Sequence, residues 1–247
     1  MKLRPSLPLL LVMSLATGDV FAAKTTEGFL EGPATAKLGS VAEIKVPVGY
    51  IFTDGKTLRK LLEAGGNPVS GNELGSLEPT NGEWSVMFRF EDVGYVKDED
   101  KDKLDADKLL QNYKDGTEAG NKVREKAGRP PIHVVGWEQP PRYNETTHNL
   151  EWAIRGECQG RDILNYDTRL LGRKGVMKVI LIVDPKELPQ TLPTFKTLMA
   201  GYNFDTGQSY AEYRPGDKVA KYGLAALVAG GAAVGAAKLG LFAWLGV

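Results

Sequence analysis

A chain of 247 residues with 31 basic and 31 acidic side chains has no net charge to draw it to nucleic acid or another polyanion. Its one cysteine, Cys158, excludes an intramolecular disulfide frame and a cysteine-based zinc site. The length suits one domain around one substantial core.

Residues 1–22 read as an export leader. Lys2 and Arg4 supply positive charge, Leu7 to Ala16 a short apolar core, and Val20-Phe21-Ala22 the small-residue pattern that a signal peptidase requires. The mature chain then starts near Ala23, and losing Lys2, Arg4 and Asp19 leaves the charge balance near zero. Residues 24–40 read as an extended lead-in. Ala42, Ile44, Val46 and Val48 alternate with Val41, Glu43 and Lys45, the pattern of a half-buried strand. Thr53 or Asp54 caps a short helix with the stripe Leu58, Leu61 and Leu62, and Gly65-Gly66-Asn67-Pro68 stops it. Glycines and prolines then dominate to about Asn81, which reads as a long loop.

Trp84, Val86, Phe88 and Phe90 alternate with Ser85, Met87, Arg89 and Glu91, which predicts a strand with one large apolar face. Leu104 to Ala127 reads as a helix, its acids clustered before the N-terminus where they favour the helix dipole. Gly116 and Gly120 lie four apart on its apolar stripe and predict close packing there, at about 1 kcal/mol each in propensity. Four strands follow at Ile132–Trp137, Asn149–Arg155, Ile163–Leu171 and Val176–Val183, with Gly172-Arg-Lys-Gly175 as a hairpin turn. A helix over Pro185–Met199 and a last strand over Gln208–Tyr213 complete the body. This order predicts an α+β fold, a mainly antiparallel sheet packed by helices in an α/β sandwich.

From Tyr222 to Val247 the only charge is Lys238. That length of small apolar residues suits a C-terminal transmembrane helix, although Lys238 at its centre costs about 2.5–3.5 kcal/mol. If Lys238 lies near the inner interface, Leu239 to Val247 would instead follow the membrane with Trp244 as its anchor. Both placements stand. Gly231-x-x-x-Gly235 would allow a homo-oligomer through the anchor. The expected organisation is a signal peptide at 1–22, an extracytoplasmic domain at 23–220 and a membrane anchor at 222–247. The bilayer is the first partner, and the expected location is the bacterial inner membrane with the domain in the periplasm.

Several motifs in combination carry a resemblance. They are Val46-Pro-Val-Gly-Tyr-Ile-Phe52, Gly66-Asn-Pro68, Gly94-Tyr-Val-Lys-Asp-Glu-Asp100, Val135-Gly-Trp137, Pro140-Pro-Arg-Tyr143 to Thr147-His148, Leu164-Asn-Tyr166 and Arg169-Leu-Leu-Gly-Arg173. With Tyr210 and Lys218 to Leu227, they make the chain resemble the bacterial membrane-anchored family of unknown function DUF2167 over nearly all of the mature sequence. The resemblance implies a leader, an extracytoplasmic domain and a C-terminal anchor, and it brings no activity or catalytic residues. The strand, the Pro-x-Gly-aromatic turn and the later meander are more weakly similar to the Mog1/PsbP-like α/β/α sandwich.

Asp98, Asp100 and Asp102 have the spacing of a calcium loop, but Lys103 stands where that loop needs glycine and Leu109 where it needs glutamate. No metal or cofactor is implied. His148 is the candidate general base or ligand. On a strand, however, it and Glu151 would point to opposite faces, and the alternative is a histidine ordering the turn after Tyr143. Cys158, in Gly156-Glu-Cys-Gln-Gly160, is either a small buried residue or a reactive thiol that would need His148 or His133 beside it. Trp137-Glu-Gln-Pro-Pro-Arg-Tyr143 offers aromatic and cationic contact surface around a rigid double proline. Arg169 and Arg173 are candidate anion contacts beside it. The expected binding set is therefore Trp137, Arg142, Tyr143, His148, Arg169 and Arg173, on a non-catalytic module for another envelope component. The alternative is an envelope hydrolase or transferase using His148 with a distant carboxylate.

Overall fold

The computed structural model describes residues 25–67 and 69–229. The expected leader lies outside them, as do Gly231, Gly235, Lys238 and Trp244 of the expected anchor. From the N-terminus, β1 (Thr25–Thr26) and β2 (Phe29–Glu31) lead into the hairpin β3 (Ala34–Leu38) and β4 (Ala42–Val46). Next come β5 (Tyr50–Asp54), helix α1 (Gly55–Ala64), β6 (Glu73–Pro79) and β7 (Ser85–Glu91). A 3-10 turn at Lys101–Lys103 and helix α2 (Ala106–Lys126) precede the meander β8 (His133–Asn144), β9 (Asn149–Cys158), β10 (Arg161–Leu171) and β11 (Val176–Val183). Helix α3 (Leu188–Met199), β12 (Tyr202–Phe204), a 3-10 turn at Tyr210–Glu212 and α4 (Leu224–Val228) follow.

Nine strands form one antiparallel sheet in the order β1-β2-β5-β6-β7-β11-β10-β9-β8, and β12-β4-β3 form a second sheet of three. Strand β11 lies between β7 and β10 and, Lys178 apart, is apolar on both faces, as suits a central strand covered on each side. Met177, Val179, Leu181 and Val183 join a core closed by Leu38, Ile44 and Val46 of the small sheet and by Leu188, Phe195 and Leu198 of α3. On the other face, Leu58 and Leu62 of α1 cover Met87 and Ile180. Leu109 and Tyr113 of α2, with Leu224, Leu227 and Val228 of α4, cover Leu150, Trp152 and Ile154. The protein is thus α+β, a large antiparallel sheet packed by helices. Among the described residues no helix is long and apolar enough to cross a membrane.

Asp54 is the N-cap of α1, accepting from Thr57 N at 2.7 Å, while Leu61 of the expected stripe faces solvent. The hairpin at Gly172 closes through Gly172 N to Gly175 O at 2.9 Å. Four expectations need correction. The expected loop before Asn81 contains β6, paired on both sides between β5 and β7. Its sequence, Glu-Leu-Gly-Ser-Leu-Glu-Pro, has few apolar residues because Glu73 is buried with its own partners. The carboxylate accepts from Ser70 N at 2.9 Å, Ser70 Oγ at 2.8 Å, Gly71 N at 2.9 Å and Arg89 at 2.9 Å. Burial pushes its pKa up, but those donors outweigh burial and hold it below the usual value. Gly75 is required there, since a Cβ would run into the Phe52 ring and Thr53 O.

Strand β8 does not stop at Trp137 but runs on through Pro140 and Pro141 to Asn144. It can do so because it is an edge strand, where a missing N–H breaks no ladder, and its register shifts at three places along β9. The expected strand over Gln208–Tyr213 is a 3-10 turn fixed by a capping box between Ser209 and Glu212. Last, Gly116 is exposed and a Cβ on Gly120 would meet nothing within 4 Å, so neither glycine marks a close approach.

Candidate functional site

The β8–β9 hairpin turns at Glu145–His148, and the turn decides where His148 faces. His148 has a left-handed backbone, φ +53°, which is uncommon for a residue with a side chain. Its carbonyl is held by Leu171 N at 3.2 Å. That twist takes His148 off the strand alternation, so His148 and Glu151 line the same cavity instead of opposite faces. The cavity has a volume of about 580 Å³, within the range of about 300–1,000 Å³ usual for small-ligand sites.

Buried Thr168, Leu170 and Phe195 form its floor, from β10 and α3. Tyr202 and Phe204 of β12 and Tyr210 of the second 3-10 turn wall it, with Asn149, Asn203 and Ser209 adding polar groups. Thr147, Lys196, Ala200, Asn203 and Ala211 are exposed around the rim. Thr168 Oγ1 and the Tyr202 hydroxyl are shut from solvent without a hydrogen-bond partner among the described residues. Burial, then nearby Asp205, pushes the Tyr202 phenol up.

A chain of polar contacts positions the imidazole. His148 Nδ1 lies 2.9 Å from the Tyr143 hydroxyl, which donates to Asp98 Oδ2 at 2.9 Å. With the phenol hydrogen directed at Asp98, Nδ1 carries the ring proton and donates to the phenol oxygen, which leaves Nε2 as the acceptor nitrogen. Burial, reinforced by Asp98, pushes the Tyr143 phenol up and keeps it protonated. The ring lies tilted against Tyr210 at 4.3 Å, Tyr210 stacks on Tyr95 at 4.3 Å, and Tyr95 lies tilted against Tyr213 at 4.3 Å. Glu151 is held too, accepting from the Tyr166 hydroxyl at 2.8 Å.

The expected binding set divides. His148 lines the cavity and is bonded to Tyr143 behind it, and Arg142 and Tyr143 line a second, polar hollow of about 310 Å³ with Lys101, Asp102 and Glu145. Trp137 is half-buried, its Nε1 donating to Ala106 O at 2.9 Å and its ring edge-on to Tyr113 at 5.8 Å. Arg169 is buried, paired with Asp167 at 3.0 Å and stacked over the Trp152 ring at 4.5 Å. Arg173 is clamped by Asp217 through Nε at 2.7 Å and a second nitrogen at 2.8 Å. Hydrogen bonding to Arg173 holds the Asp217 carboxyl down, at about 2.

Arg169 belongs to a row of charges crossing the helix-covered face of the sheet. Cross-strand registers place Glu73 beside Arg89, Arg89 beside Lys178, and Lys178 beside Arg169. Lys178 pairs with Glu91 at 2.5 Å. Burial, then Arg169, pulls its ammonium down to about 8, while burial pushes Asp167 up.

The remaining candidates fall elsewhere. Cys158 is buried at the far end of β9 from His148, roughly 30 Å away at strand rise, which rules out that pair. His133 is exposed beside Glu118, 2.9 Å away. Asp98 accepts from Tyr143, and Asp100 accepts from the first amides of α4. Among the described residues no cluster of three or more His, Cys, Asp or Glu side chains could hold a metal ion. Sequence reasoning missed Thr168, Tyr202, Asn203 and Phe204. Tyr-Asn-Phe directly after α3 was the available signal, a short alternation with two aromatics on one face.

Two solved structures are similar to this chain. One is the solution structure of cyanobacterial PsbP (CyanoP) from Synechocystis sp. PCC 6803, at 11% identity and TM-score 0.40, covering 76% of this chain and 96% of that one. The other is a protein of unknown function, PA94, from Pseudomonas aeruginosa, at 14% identity and TM-score 0.27, covering 67% and 92%. Both likenesses are too distant to bear on function. No curated protein matches. Residues 30–247 match the family described as protein of unknown function (DUF2167), and the chain belongs to that family.

Proposed function

We propose that this protein is a non-catalytic binding module of the bacterial envelope, with its ligand seated in the cavity between β9, β10, α3 and β12. The observation that carries this reading is the cavity itself, in which a buried floor, aromatic walls and an exposed rim bring together residues from four separate parts of the chain. The edge strand β8, with Trp137, Arg142 and Tyr143, is the surface proposed for an envelope protein partner. Pro140 and Pro141 cannot donate to an added strand, so such a partner would be held by side chains. In this proposal residues 1–22 are removed on export, and the domain stands in the periplasm. Leu224, Leu227 and Val228 are buried against the domain, which leaves the residues after Ala229 to meet the inner membrane.

One observation favours a second reading as a hydrolase or transferase. His148 and Glu151 share the cavity, and the Asp98–Tyr143 chain fixes the imidazole in an orientation suited to moving a proton. Against it, the Ser209 hydroxyl beside them already donates to Glu212 at 2.7 Å.

Native mass spectrometry of the protein released from its own membranes tests both. A bound species that is kept in Arg142→Ala and lost in Ala211→Trp, which plugs the rim, is the expected result. A species seen only in His148→Ala would mean that the parent converts it, and the hydrolase reading would replace the binding one. No adduct in any variant would remove the cavity as a binding site.

A further inference from the structure

Resting on the binding reading above, we infer that the cavity takes a short, uncharged saccharide. The chemistry of the walls selects this class by elimination and by fit. An acyl chain would take the Glu151 carboxylate, left with the Tyr166 hydroxyl as its one hydrogen-bond donor among the described residues, and the Asn149 amide out of water and return them no hydrogen bond, which opposes the apolar contact. A phosphate or other anion would meet Lys196 as the one permanent cation among the lining residues, with the Glu151 carboxylate opposing it. A polyol ring instead carries donors and acceptors around its rim and C–H groups on its faces. Phe204 and Tyr202 offer apolar aromatic surface for those faces, while Tyr210, packed between His148 and Tyr95, backs the wall. Asn149, Asn203 and Glu151 offer acceptors and donors for hydroxyls, and Glu151 is pre-oriented by Tyr166.

Thr168 and Tyr202 add the second, independent observation. Thr168 is 3% exposed, and its Oγ1 has no hydrogen-bond partner among the described residues, nor has the Tyr202 hydroxyl. A buried hydroxyl with an unmade bond weakens the empty state and is a place for a ligand group to bind. In this proposal the Thr168 side chain turns about χ1 and the Tyr202 ring shifts, so that each hydroxyl, shut from solvent in the empty site, meets the bound sugar and exchanges an unmade hydrogen bond for a made one.

The test titrates the full chain by two-dimensional NMR with neutral di- and trisaccharides of hexose and N-acetylhexosamine. Glucose 6-phosphate and dodecanoate serve as the anionic and acyl probes. At least one neutral oligosaccharide should shift the signals of Thr168, Tyr202, Phe204 and Tyr210. Thr168→Val and Tyr202→Phe should each weaken that oligosaccharide at least fivefold while melting at or above the parent temperature, because each deletes an unsatisfied hydroxyl. A merely structural role would move the melting temperature and leave the affinity alone. The saccharide assignment is overturned if only the phosphate or the acyl chain moves those signals, or if both variants bind the sugar as the parent does. Failure here with a rim-sensitive adduct still present in native membranes would leave the binding module standing with another ligand. Loss of both results would remove the binding reading as well.

Discussion

Removing the Asp100 carboxylate tests how firmly the C-terminal segment is held to the domain. Asp100 Oδ1 accepts from Leu224 N at 2.9 Å and Oδ2 from Ala225 N at 3.2 Å, so a residue more than a hundred positions upstream caps α4. Loss of an N-cap carboxylate costs about 0.5–2 kcal/mol, and here the acceptor also neutralises amides at the positive end of the helix. Leu224, Leu227 and Val228 remain as a second hold, each buried apolar side chain being worth roughly 1.5–3 kcal/mol. Asp100→Ala should therefore loosen the segment without detaching it. Local opening of residues 222–229 should become roughly two- to thirtyfold more frequent, the same range expressed as a population. The global melting temperature should fall by only a few degrees. Hydrogen exchange on peptides covering 222–229, with the β10 peptide as internal reference, reads the two effects apart. Gly223→Ala should reproduce the result, because a Cβ there would meet the same carboxylate at 2.5 Å. Unchanged exchange at 222–229, or an equal rise across β10, would show that Asp100 does not act as a local clamp.

Two further predictions come from the helix-covered face. Gly120→Ala should stabilise the domain by about 1 kcal/mol, or about 2–4 °C, since the new Cβ meets nothing and helix propensity alone decides; a lower melting temperature would refute this. Lys178, pulled down to about 8 by its burial, is neutral in the fold over a range where the unfolded chain still carries its proton. Stability should then rise from pH 8 towards 9.5, because the unfolded state binds more protons there, and the charged form costs stability below pH 8. The full shift corresponds to at most about 3 kcal/mol. Denaturant unfolding at pH 8 and 9.5 should show this rise in the parent and not in Lys178→Met, while tyrosine ionisation, common to both, cancels; equal slopes would refute the assignment.

The sheet was legible where burial is one-sided or complete. Val176–Val183 is apolar at every position but Lys178 and β7 alternates, and both lie where those patterns place them. Strand β6 was hidden because it sends only Leu77 fully into the core and begins on Glu73 with its four donors, and no hydropathy pattern marks a buried carboxylate that brings its own partners. Likewise Ser209 and Glu212 spell a capping box, yet the aromatics around them imitate strand alternation. On α2 the glycines fell on the correct stripe at 120 but outside it at 116, and a small residue on a stripe records vacancy as easily as contact.

The site was legible only in part, for a geometric reason. Tyr143 and His148 are five apart and meet across a hairpin turn, so a reading of the turn could place them together. Thr168, Phe195, Tyr202 and Tyr210 reach the same cavity only after β10, α3 and β12 have packed, and no spacing in the sequence encodes that. His148 and Glu151 show the limit most directly. Strand alternation separates residues three apart onto opposite faces, but the rule holds only while φ stays extended. At φ +53° the chain has rotated out of that regime, and the two side chains share one wall. A left-handed residue with a full side chain is costly, by about 1–3 kcal/mol, and it persists because Leu171 holds its carbonyl, Tyr143 its ring nitrogen and Tyr210 its ring face. Three independent restraints on one strained residue beside a cavity are more than a turn requires for closure, since Asn144 Oδ1 already accepts from Thr146 N at 2.9 Å and Thr147 N at 3.2 Å. The surplus restraint fixes the imidazole in place at the wall of the cavity that His148 lines.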